Sequence, residues 1–146
     1  MHTLDPYSYE CGAIDCFNEM VHAGVKALAL SHPLDTREER DALIPFAHDI
    51  CKKYHTKLYP EDDPLLTDLF PLGLNQGKFN ILFYAHDHII EEYIRLKERK
   101  AALVAERAYF GGNRTQLALS YGRLLSYSDE MVRQMIDANR DKEQVG

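Results

Sequence analysis

The chain has no tryptophan, three cysteines and no long apolar run, and each shortage excludes something. Cys11, Cys16 and Cys51 are an odd set without a CxxC pair, so neither a disulfide framework nor a thiol-based zinc or redox motif is expected. Cys16 and Cys51 fall within apolar helical patterns and read as small buried hydrophobes. Cys11, beside Glu10 and Gly12, has the surroundings of a thiol near a helix N-terminus, but no histidine partner can be assigned to it. No segment approaches the ~20 apolar residues of a membrane helix. The opening residues Met1-His2-Thr3-Leu4-Asp5-Pro6 carry neither a basic nor an apolar leader region, so no signal peptide is expected and a cytoplasmic location is the default.

Positive charge is also scarce. Seventeen Lys and Arg stand against 23 Asp and Glu, a formal net charge of -6. A general nucleic-acid binder needs clustered cations for phosphate contacts, so nucleic acid is not an expected partner. The basic residues Arg95, Lys97, Arg99 and Lys100 interleave with Glu91, Glu92 and Glu98 and read as a solvated helix face. The sequence has no GxGxxG, no P-loop and no GxSxG.

What is present is the composition of a single globular domain over residues 1–146, with 45% hydrophobic and 27% charged residues. Residues 1–12 read as an irregular arm and 140–146 as a frayed tail. Between them the pattern runs helix, strand, helix, strand, an ambiguous apolar segment, strand, and three helices. The strands are expected at 25–30, 56–59 and 79–85. Thr36 with Glu39 fits a capping box, and Pro45 inside the following helical pattern predicts a kink or a late start. Residues 65–72 read as a short strand or as an irregular cover for the core. Alternation of this kind favours an α/β fold. The expected form is a small, mostly parallel, three- to four-stranded sheet with flanking helices and a helical C-terminal third.

The sharpest chemical feature is Asn80-Ile81-Leu82-Phe83-Tyr84-Ala85-His86-Asp87-His88, where a strand-like run stops at a His-Asp-His triplet. In open α/β sheets, ligands bind outside the carboxyl ends of strands. The first strand ends at Ser31-His32-Pro33 and the second at Glu61-Asp62-Asp63. Parallel strands would bring all three ends to one edge. The candidate catalytic residues are therefore His86, His88, His32 and Asp62, with His86, His88 and Asp62 as candidate ligands of a divalent metal ion. The same residues suit acid/base chemistry. Local structural roles compete with this: Asp87 stands where a helix N-cap belongs, and Glu61-Asp62-Asp63 reads equally as a solvated turn.

Two functional expectations follow. One is an enzyme that binds a small molecule or a divalent metal at this His/Asp edge. The other is a non-catalytic, homo-oligomeric interaction or regulatory protein. The apolar stripes on three successive C-terminal helices exceed what a small sheet needs, and the nine tyrosines suit contact surfaces.

Overall fold

Three strands form the central sheet of the computed structural model, which describes residues 1–145: β1 (Leu28–Leu30), β2 (Lys57–Glu61) and β3 (Asn80–Tyr84). Their order is β1-β3-β2, and β3 runs antiparallel to both neighbours. This corrects the expected mostly parallel sheet of three to four strands. The helical crossover after β1 does return β2 parallel to β1, as the alternation implied. It leaves a gap one strand wide, and β3 fills that gap in the opposite direction. A parallel β3 would need a second crossover, usually a helix. Residues 62–79 offer only the four-residue helix α4 (Leu72–Asn75). An antiparallel β3 starts at the edge where β2 ends, so this segment need not return along the sheet. It covers the core instead, burying Leu65 and Leu69.

Both faces of the sheet are covered, which is why β3 reads as a continuous apolar run. Ala29, Ile81 and Phe83 pack against α1 (Pro6–His22) and α3 (Ile44–Tyr54). Leu28, Leu82 and Tyr84 face α5 (Asp87–Ala105), α6 (Gly111–Leu124) and α7 (Asp129–Ala138). β2 continues through Pro60, which an edge strand tolerates because one side of its backbone is unpaired.

Local signals explain most helix boundaries. Asp5 accepts the Ser8 N–H at 3.1 Å and caps α1, with Pro6 in the first turn. The helix therefore starts inside the stretch expected to be irregular. Thr36 accepts the Glu39 N–H at 3.1 Å and caps the short α2 (Arg37–Asp41). The chain then restarts as α3 with Pro45 in its first turn, so the proline delays the helix. Ser128 caps α7 through the Met131 N–H. Cys11 and Cys51 are buried, whereas Cys16 is exposed on α1.

Most of the C-terminal apolar stripe is buried within the chain, with Val104 and Met131 left exposed. Leu117, Leu119, Tyr121, Leu124, Leu125 and Val132 are all buried, most of them in the core beneath the sheet. The tail is tied down as well. Asn139 Nδ2 donates to the Asp68 and Phe70 carbonyls, and Asp141 accepts the Leu72 and Gly73 N–H groups. Gly146, the end of the expected frayed tail, lies outside the described residues.

Candidate functional site

The antiparallel β3 separates the residues expected to meet. The carboxyl ends of β1 and β2 do share an edge, with Asn80 at the start of β3 between them. That edge holds His32 and Asp62, on strands two spacings apart, about 10 Å. His86 and His88 lie at the opposite edge, so the structure does not bring them to Asp62. Their rings stack on each other, centroids 5.8 Å apart, because His86 is the extended N-cap of α5 and His88 sits in its first turn. Asp87 makes no cap; it pairs with Lys57 at 2.6 Å. Among the described residues no group of three or more His, Cys, Asp or Glu side chains is placed to hold a metal ion.

Asp62 is engaged by arginines. Arg40 is only 3% exposed, and all three of its guanidinium nitrogens donate. Nη1 donates to the Glu61 and Asn80 carbonyls at 2.9 and 3.0 Å, Nε to Asp41 and Nη2 to Asp62. Arg37 adds a second contact to Asp62 at 3.3 Å. The hydrogen bond from Arg40 holds the Asp62 carboxyl below the usual carboxylate range. Arg40 thus pins β2, β3 and the start of the acidic turn to one another.

A site with an apolar wall lies at the free edge of β1, where the two helical layers meet. It is a cavity of about 380 Å³, near the lower end of the range for ligand pockets. Its apolar wall comes from both layers, with Phe17 on α1, Leu30 on β1, Phe70 on the covering segment and Leu125 and Tyr127 after α6. The polar lining consists of Lys26, Ser31, His32, Asn75 and Asn80.

Asn80 is the anomaly in this wall. It is 1% exposed, and its Oδ1, itself closed off from the cavity, has no hydrogen-bond partner among the described residues. Nearly all buried polar groups are paired, because leaving one unpaired costs about 1–3 kcal/mol. Position explains how the side chain got there. Alternation along β3 turns Asn80 to the same face as Leu82 and Tyr84, where a leucine would be the ordinary choice.

His32 has a defined orientation. Its Nδ1 lies 3.0 and 3.3 Å from the two carboxylate oxygens of Glu10, one helix away on α1. A carboxylate only accepts, so Nδ1 carries a proton, and whenever the ring is neutral Nε2 is the acceptor. Tyr9 stacks on the ring and Phe17 meets it edge-on, which fixes its plane. Ser31 Oγ accepts the Ile81 N–H at 2.8 Å and makes no hydrogen bond with His32 among the described residues. The geometry therefore supplies an oriented base without a coupled hydroxyl nucleophile.

Of the residues expected from sequence, His32 alone lines this cavity. Glu10, Lys26 and Asn80 were missed. The one signal for Asn80 was a polar residue opening an otherwise apolar strand. Glu10 had none, since its partner lies 22 residues away. No helix of the described residues is long and apolar enough to cross a membrane. No family model matches the chain, and neither the curated proteins nor the solved structures contain a significant match to it.

Proposed function

We propose that this protein binds a small, largely apolar molecule in the cavity at the free edge of β1, with His32 as the group that exchanges a proton with it. The observation that carries this reading is the apolar wall itself, in which Phe17, Leu30, Phe70, Leu125 and Tyr127 surround a few polar groups. Glu10 supports the second part, because a histidine held in one tautomer by a carboxylate is the arrangement that general bases use.

Titration of isotope-labelled protein with indole, followed by amide NMR, tests the reading. Ser31, Asn75 and Leu125 should shift, while Arg99, on the far side of α5, should not. Leu74→Trp places a large side chain at the half-exposed rim and should abolish those shifts without unfolding the protein. If indole shifts no cavity amide, or if Leu74→Trp leaves the shifts intact, the cavity is not the binding site.

A further inference from the structure

Resting on that reading, we infer that the ligand is an apolar monoanion, such as a carboxylate. Lys26 supplies the argument. The chain leaves α1 through Gly24, whose φ of +78° turns it so that both Val25 and Lys26 donate their N–H groups to the Met20 carbonyl. Lys26 thereby enters the cavity wall. It is the one Lys or Arg among the lining residues. Its Nζ donates to the Leu125 carbonyl at 3.0 Å and lies 4.9 Å from the Tyr127 ring centroid. Neither partner carries a negative charge. Among the described residues no carboxylate lies within 4.0 Å of it. Burial already favours its neutral form. A half-buried ammonium with a neutral protein environment and two unused protons is matched by an anion arriving from outside.

The rest of the wall is mostly apolar, with Ser31, His32 and Asn75 as its few neutral polar groups beside the buried Asn80. A single cation without a glycine-rich loop does not suit a phosphate ester of high charge, and the few polar groups do not suit a sugar.

Calorimetric titration of the protein with three probes tests this: indole-3-acetate, its neutral amide and indole itself. Indole-3-acetate should bind about tenfold more tightly than the amide, as one charge-assisted hydrogen bond requires. Lys26→Met should erase the preference for acid over amide, and Lys26→Arg should retain it. Equal binding of acid and amide to wild type, with indole still shifting the cavity amides, overturns the anionic ligand and leaves the cavity reading intact. No binding by any of the three overturns both.

Discussion

The Tyr93 hydroxyl donates to Glu61 Oε2 at 2.7 Å and accepts the Leu65 N–H at 3.0 Å, joining α5, the end of β2 and the covering segment at one buried atom. Glu61 is 3% exposed and also accepts from Lys97 Nζ and the Asp63 N–H. A carboxylate that follows a strand was read as part of a solvated turn. It is instead the centre of the network that holds residues 62–65 in place. Tyr93→Phe should cost about 1.5–3 kcal/mol, the range for a hydrogen bond to a charged group. Urea denaturation measures it, and a change within error would show that Lys97 alone satisfies Glu61.

Asn80→Leu should stabilise the free protein by about 1 kcal/mol, because it removes an unpaired polar atom and adds an apolar side chain beside the core. A conventional structural asparagine would give the opposite sign. A lower denaturation midpoint in the variant would show that the amide is satisfied in the folded protein.

Gly122 on α6 faces Val132 on α7 so closely that a Cβ would overlap Val132 Cγ2. Gly122→Ala should therefore destabilise by about 1–3 kcal/mol through overpacking. Val132→Ala should relieve much of that cost, so the double variant should be more stable than the two separate losses predict. Additive losses would mean that the helices separate freely.

Burial raises the hydroxyls of Tyr93 and Tyr121 above the ordinary tyrosine value and pushes Tyr109 up to about 12. A raised folded value contributes stability that is fully present below the unfolded value of about 10 and is lost as pH climbs through the folded value. Thermal midpoints should hold up to about pH 10 and fall beyond it. Tyrosinate absorbance from these residues should rise together with unfolding. Their ionisation in a protein that remains folded would contradict the burial argument.

Asn139 ties the C-terminal tail to residues 68–70, whose Phe70 lines the cavity. Asn139→Ala should leave buried carbonyls unpaired, at about 1–3 kcal/mol. Hydrogen exchange should quicken at Leu72 and Gly73, which donate to Asp141. Unchanged exchange there would show that the tail does not restrain the cavity wall.

Local chemistry written along the chain accounts for the helix caps at Thr36 and Ser128, the interruption at Pro45 and the apolar run of β3. These depend on residues within a turn of one another, so their physics is complete in a short window. The direction of β3 is a different kind of fact. The same apolar residues bury equally well in either orientation, and only the lack of a crossover between β2 and β3 selects the antiparallel one. That choice sent His86 and His88 to one edge and His32 to the other. It also placed Asn80 and Lys26 in one wall built from both layers. Pairings such as Glu10 with His32 or Lys26 with the Leu125 carbonyl span 22 and 99 residues. They arise only when the layers close on the sheet, because side chains that far apart in sequence meet through packing and not through any local preference.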